Sequence, residues 1–162
     1  MAEAREGEEA LDFDPGALPG DGKIVFIGRL NSPWKSRDEC PKNMADARKL
    51  GRPASVAIDT LYRRGLTGLE RFSHVILLTW LDRSQRDLII QNPRHASEPR
   101  GTFSLRSPVR PNPIGLHVAQ LVSLDIDSGI LGIDAIDALD GTPVIDVKPY
   151  FPSIDSIPDA TG

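Results

Sequence analysis

The stretch RSPVRPNPIGL, from Arg106 to Leu116, packs Pro108, Pro111 and Pro113 into a short space and runs directly into an alternating pattern. Each proline fixes φ, removes a backbone donor and pushes the residue before it into an extended conformation. Neither a helix interior nor a central strand tolerates that spacing, so the stretch must be a stiff loop at the start of a strand. The strand that follows, Ile114 to Asp125, sets Leu116, Val118 and Gln120 on one face and His117, Ala119 and Leu121 on the other. That period of two marks a strand with two unlike faces. Asp127-Ser128-Gly129 then supplies a hairpin turn and ILGIDAID a returning partner.

Short strands with frequent breaks recur along the chain. KIVFIGRL (23–30), ASVAID (54–59), SHVILLTWL (73–81) and VIDVKPY (144–150) read as strands. GTFSL (101–105) is short and β-prone, and DLIIQNPR (87–94) fits a strand or a short helix equally. MADARKL (44–50) suits one or two helical turns inside a long polar loop, and YRRGLTGLERF (62–72) is a glycine-punctuated connection. Fourteen glycines and fourteen prolines in 162 residues favour turns over bundles. The expected fold class is all-β: a single-domain antiparallel β-barrel with short helical turns in its long loops. A sheet of alternating strands and helices is not expected, because no such alternation is present.

Charge is sorted along the sequence. Residues 1–22 hold one cation against seven anions, residues 23–110 seventeen against eight, and residues 111–162 one against eight. The acidic, Gly/Pro-containing head is expected to be a disordered lead over residues 1–22, with the ordered domain at 23–162. The cationic middle either attracts a polyanion or simply decorates solvated faces. No apolar run approaches the roughly 20 residues that cross a bilayer, so no membrane partner is expected. The first residues lack a signal-peptide pattern, and a cytoplasmic location is the expectation. The single cysteine, Cys40, excludes an internal disulfide and reads as an ordinary thiol. His74, His95 and His117 have no metal-ligand spacing, and no phosphate-loop, dinucleotide or zinc motif occurs, so no metal is expected.

Two segments hold candidate chemistry. In the proline loop, Arg106 and Arg110 present forked donors suited to carboxylate or phosphate, and Asn112 offers both a donor and an acceptor. The alternative is a structural rim loop whose arginines pair with the acidic C-terminal third. In IDALDGTPVIDVKPY (136–150), Asp137 and Asp140 flank a turn, with Asp146 and Lys148 on the strand beyond. Two such carboxylates accept from ribose hydroxyls or an ammonium, or else they merely bond their own turn.

These two segments, with SPWK (32–35) and GLERFSHVILL (68–78), resemble the TrmO family, also known as YaeB-like or TsaA-like proteins. The resemblance runs from about Ile24 to the C-terminus. It implies a β-barrel that binds S-adenosylmethionine, acts as a homodimer with the cofactor near the subunit interface, and methylates tRNA. The acceptor would be the exocyclic nitrogen of threonylcarbamoyl-adenosine beside the anticodon. Carried over by position, the cofactor site comprises Pro41, Lys42 and Asn43, where the family has Pro-Arg-Gln. It also takes Asp82 and Arg83 at the end of the central strand, Arg106, Leu116, and the turn Asp137, Ala138, Leu139 and Asp140. Asp137 or Asp140 is implied as the proton acceptor. Arg110, Asn112 and Lys148, with Arg63 and Arg64, would face RNA, and His74 is either a site residue or a core histidine. The alternatives are a methyltransferase for another RNA or small molecule, and a non-catalytic S-adenosylmethionine sensor. Many bacterial relatives carry a further C-terminal domain, whereas this sequence stops soon after YFPSIDSIPDATG.

Overall fold

The structure, a computed structural model, describes residues 4–94 and 96–162. His95 and the first three residues of the acidic lead lie outside the described residues. Nine strands follow in order: β1 (Glu9–Ala10), β2 (Gly28–Asn31), β3 (Ala54–Ile58), β4 (His74–Trp80), β5 (Leu88–Gln91), β6 (Arg100–Gly101), β7 (Ile114–Asp125), β8 (Ile130–Ile133) and β9 (Pro143–Pro149). Two helices, α1 (Met44–Leu50) and α2 (Pro152–Asp155), and four 3-10 turns complete the set. By contacts the chain forms two compact units, Met1–Ile24 with Trp80–Gly115, and Val25–Thr79 with Leu116–Gly162. The sequence alone sets one ordered domain at 23–162; the contacts draw the division elsewhere.

Six strands close into a barrel in the order β2-β3-β8-β7-β4-β9, which leaves none of them with an unpaired edge. Its neighbouring strands pair antiparallel, for example Gly28 opposite Ile58 and Ala54 opposite Ile133. The barrel core consists of side chains pointing inward by alternation: Val75 and Leu77 on β4, Ala119 on β7, Leu131 and Ile133 on β8, all at or near zero exposure. On β7 the expected faces hold, with Gly115, His117 and Ala119 buried and Leu116 and Gln120 exposed. The β7–β8 hairpin turns at Gly129, whose φ of 73° lies where side-chain-bearing residues rarely go. Arg63 donates to the carbonyls of Ile58 and Asp127 and ties this hairpin down, so its guanidinium is spent on the fold rather than left for RNA.

The other unit holds a three-stranded sheet in the order β1-β5-β6. DLIIQNPR resolves as a strand at Leu88–Gln91. GTFSL does not form the short strand expected: only Gly101 is in β6, and Thr102–Ser104 is a 3-10 turn. The reason is side-chain bonding, since Thr102 Oγ1 donates to the Leu88 carbonyl at 2.9 Å and accepts from Gln91 Nε2 at 2.9 Å. Within the acidic lead, Glu9 and Ala10 pair with β5, and Glu8 accepts from the Asn92 N–H at 3.3 Å. The lead is therefore ordered where the sequence alone predicts disorder. Its charges find partners: Arg5 pairs with Glu8 and holds that carboxyl down to about 2.

Candidate active site

Two of the motifs prove to be halves of one clasp. Ser32 Oγ donates to the Ala138 carbonyl at 2.7 Å, Trp34 Nε1 to the Ile136 carbonyl at 2.7 Å, and the Asp140 N–H to the Trp34 carbonyl at 2.8 Å. Asp140 returns the contact by accepting from the Ser32 N–H at 2.9 Å and from Lys35 Nζ at 2.6 Å. Trp34 is 3% exposed, and Arg52 lies over its ring at 4.8 Å. The SPWK loop thus supplies the donors that order the DALDG turn, which explains why the chain needs both.

Both carboxylate oxygens of Asp140 are engaged by the chain itself. Lys35 first, then the Ser32 N–H, hold this carboxyl below the ordinary aspartate range. A depressed folded-state value means the clasp contributes stability above the unfolded value of about 3.9. That contribution is lost as pH falls through the lower folded value. Asp140→Asn is therefore expected to flatten the fall of the urea midpoint below about pH 4, measured by fluorescence unfolding against pH.

Asp137 is placed differently. Its Oδ1 lies 2.5 Å from His117 Nδ1, and its side chain is 17% exposed. Its second oxygen, Oδ2, takes no hydrogen bond among the described residues, and neither do the N–H groups of Ala138 and Leu139. One carboxylate oxygen and two neighbouring donors are therefore left over at one turn. His117 is 4% exposed, and its Nε2 lies 2.8 Å from Thr79 Oγ1. Neither His117 nor Thr79 was among the sequence-derived site residues. The available signal was the polar ring on the inward face of β7, next to Ala119.

The Pro41, Lys42, Asn43 triplet opens α1. Asn43 caps the helix by accepting from the Asp46 N–H at 2.8 Å, and its Nδ2 donates to Asp46 Oδ2 at 2.8 Å. Its amide is thus engaged at both ends, which leaves Lys42 as the side chain of the triplet best suited to an anionic ligand group. Cys40, just before the triplet, feels the charge of Asp137: burial first and that carboxylate second push its thiol up to about 11. A thiol so raised stays protonated at neutral pH, in keeping with an ordinary thiol. Leu116 stands exposed on the outer face of β7, and Lys148 pairs with Asp146 at 2.7 Å on β9. His74 is half-buried, with Nδ1 2.8 Å from Ser73 Oγ and its ring edge-on to Tyr150.

In the unit that contains the proline loop, the arginines divide. Arg110 is turned inward on its own loop, donating to the carbonyls of Leu105 and Ser107 at 3.0 and 3.1 Å. Arg86, which sequence reasoning passed over, braces the loop from outside: Nε reaches the Pro111 carbonyl at 2.6 Å and Nη2 the Asn112 side chain at 3.3 Å, while its guanidinium lies over Trp80. Gln91 adds a bond to the Val109 carbonyl at 2.6 Å. Prolines and these donors together make the loop rigid before any ligand arrives. Arg106 is exposed and lines an open cleft of about 580 Å³ with Arg5, Glu8, Gln85 and Pro93. Asp82 and Arg83 are exposed in the same unit. Among the described residues no three His, Cys, Asp or Glu side chains are grouped to hold a metal ion, and no helix is long and apolar enough to cross a membrane.

Residues 29–156 match the family described as the tRNA-methyltransferase O N-terminal domain. The chain belongs to the TrmO family. The match contains every barrel strand except the first residue of β2, together with the clasp and the Asp137 turn. A probable S-adenosyl-L-methionine-binding protein, VirR, of Rhizobium radiobacter is 38% identical over 135 residues, covering 82% of this chain and 74% of the relative. A tRNA (adenine(37)-N6)-methyltransferase of Escherichia coli is 33% identical over 142 residues, covering 84% and 60%. The crystal structure of TrmO from Pseudomonas aeruginosa superimposes with a TM-score of 0.69 at 30% identity, covering 88% of this chain and 62% of that one. The chain therefore spans about three-fifths of the TrmO structure and of the E. coli relative.

Proposed function

We propose that this protein is an S-adenosylmethionine-dependent methyltransferase acting on the exocyclic nitrogen of adenosine, threonylcarbamoyl-modified, next to a tRNA anticodon. The observation that carries the reading is the Asp137 turn of a TrmO-family barrel: one carboxylate oxygen held by His117, the other left for a ligand. Relatives named as S-adenosylmethionine-binding proteins and as tRNA (adenine(37)-N6)-methyltransferases support it.

The residues fit the cofactor. A carboxylate oxygen accepts from a ribose hydroxyl or an amino group, and the Ala138 and Leu139 N–H groups donate to a ring nitrogen or a carboxylate. Leu116 offers apolar surface, and Lys42 a cation beside an anionic end. When bound, S-adenosylmethionine supplies a methyl made electrophilic by its sulfonium. The rest falls to this chain. An adenine amino group is a weak nucleophile because its lone pair is delocalised into the ring. Asp137 Oδ2 is the acceptor able to hold an N–H of that amino group and to draw its proton away as the new N–C bond forms. Asp140, with both oxygens engaged in the clasp, orders the turn. Holding donor and acceptor in line supplies roughly 7–11 kcal/mol of the acceleration.

On the RNA side, the exposed guanidinium of Arg106 and the cations Lys42 and Arg64 are the groups for phosphates; Arg110, braced internally, shapes its loop instead. Binding to tRNA should then weaken steeply with salt, since each neutralised phosphate releases counterions. A filter-binding series that gives a flat dependence on salt counts against this placement. A homodimer is part of the same reading, supported by the exposed apolar side chains Phe151, Ile154 and Ile157 near the C-terminus, and sedimentation tests it. A cytoplasmic location, where tRNA is modified, belongs to it as well.

The deciding experiment incubates the protein with methyl-labelled S-adenosylmethionine and total tRNA from a strain lacking the modification, then digests the RNA to nucleosides. Label in methylated threonylcarbamoyl-adenosine is expected. Label in another nucleoside, or binding without transfer, overturns the reading.

A further inference from the structure

The barrel interior is lined by apolar side chains, Val75, Leu77, Ala119, Leu131, Ile133 and Val144 among them. Thr79 and His117 break that lining. They sit on the neighbouring strands β4 and β7, at 0% and 4% exposure. Burying a hydroxyl and an imidazole costs free energy unless each is hydrogen-bonded, and a valine with a leucine would fill similar space at no such cost. Packing does not ask for this pair, so its use must lie in what it touches.

The contacts form a single line from core to surface. Thr79 Oγ1 meets His117 Nε2 at 2.8 Å, and His117 Nδ1 meets Asp137 Oδ1 at 2.5 Å. Asp137 ends the line with a partly exposed carboxylate whose other oxygen has no partner among the described residues. Each ring nitrogen has one neighbour, which determines the hydrogen pattern. A carboxylate only accepts, so Nδ1 carries a proton and donates to Asp137. In the neutral ring Nε2 then accepts, and the Thr79 hydroxyl donates to it. The β4–β9 register shifts between Leu78 and Thr79, an irregularity of the kind that re-aims a side chain.

We propose that His117 and Thr79 are positioning residues that lock the Asp137 carboxylate with Oδ2 turned toward the acceptor amino group. Thr79 fixes the tautomer and tilt of the imidazole, and the imidazole fixes the carboxylate. This rests on the methyltransferase reading above, in which Asp137 receives the amino N–H.

Four variants of the full chain test it: Thr79→Val, Thr79→Ser, His117→Leu and His117→Asn. Thr79→Val removes the hydroxyl and keeps the shape. His117→Asn keeps an N–H where Nδ1 stands. Removing a partner that orients a reactive group typically costs roughly 10- to 100-fold. Thr79→Val and His117→Leu should therefore lower kcat for tRNA methylation by about that factor, with KM and the Kd for S-adenosylmethionine within about threefold of wild type. Thr79→Ser and His117→Asn should each recover most of their loss. A kcat unchanged in Thr79→Val, an equal loss in Thr79→Ser, or a loss confined to KM, Kd or thermal midpoint overturns the assignment.

A second readout needs no activity. Nitrogen-15 NMR of labelled histidine should show His117 Nδ1 protonated and strongly hydrogen-bonded, with that signature weakened in Thr79→Val and restored in Thr79→Ser. The same signature in wild type and Thr79→Val overturns the proposal even if the protein methylates tRNA. If the wild type transfers no methyl to tRNA, the methyltransferase reading fails, and the NMR arm alone decides whether the brace exists.

Discussion

Asp137→Asn is expected to cut methyl transfer to tRNA by roughly 100- to 10,000-fold, the range carried by a positioned proton acceptor. The substitution keeps size and shape. The amide oxygen still accepts from His117 Nδ1, which holds Oδ1 at 2.5 Å in the wild type. The amide nitrogen then takes the place of Oδ2 and turns an acceptor into a donor. A donor facing an adenine N–H repels it, so the defect should fall on kcat. The Cys40 thiol offers an internal check, because the charge of Asp137 helps to raise it to about 11. Removing that charge should lower the thiol's titration midpoint, as followed by its reaction rate with a disulfide reagent against pH. Single-turnover assays with a thermal scan separate chemistry from folding. A variant that folds normally and methylates at the wild-type rate would place the acceptor elsewhere, most simply on a backbone carbonyl.

Gly28→Ala is expected to destabilise the barrel by about 3 kcal/mol or more, at the upper end of what overpacking costs. A methyl group added at Gly28 would stand 2.1 Å from the Ala57 carbonyl oxygen and 3.0 Å from both the Ala57 carbonyl carbon and Ile58 Cα. These are backbone atoms of β3, paired to β2 in register, and cannot swing aside as a side-chain tip would. β2 also pairs with β9, with Gly28 opposite Val144, so pushing it outward strains both of its seams in a closed barrel. Urea unfolding followed by tryptophan fluorescence measures the loss, with Trp34 reporting from the clasp next to β2. A midpoint within error of wild type would show that the strands separate without cost and that the close approach is not needed for closure.

Much of the architecture was legible because its cause is local. Three prolines in RSPVRPNPIGL leave the chain no option but a stiff loop, and strict alternation after it predicts the faces of β7 as found. The Asp-Ser-Gly hairpin and the helix at MADARKL are likewise local matters of turn and cap chemistry. The acidic lead was misread because its order comes from a partner far along the chain, the edge of β5, together with Glu8 reaching Asn92. GTFSL was misread because Thr102 bonds across to Leu88 and Gln91, and no local propensity contains those contacts.

The candidate site divides along the same line. Composition, spacing and motif order by themselves determined the fold class, the family resemblance and the segments that hold the chemistry. Only the tertiary structure decided what each residue does there. Asp137 and Asp140 are three apart and chemically identical in sequence, yet one is bound on both oxygens by Ser32 and Lys35 and the other on one by His117. Arg106 and Arg110 are four apart, yet one is exposed and the other donates to its own loop. A side chain's role depends on which partners claim its donors and acceptors. Those partners come from strands a hundred residues away, and closing the barrel is what brings them within reach.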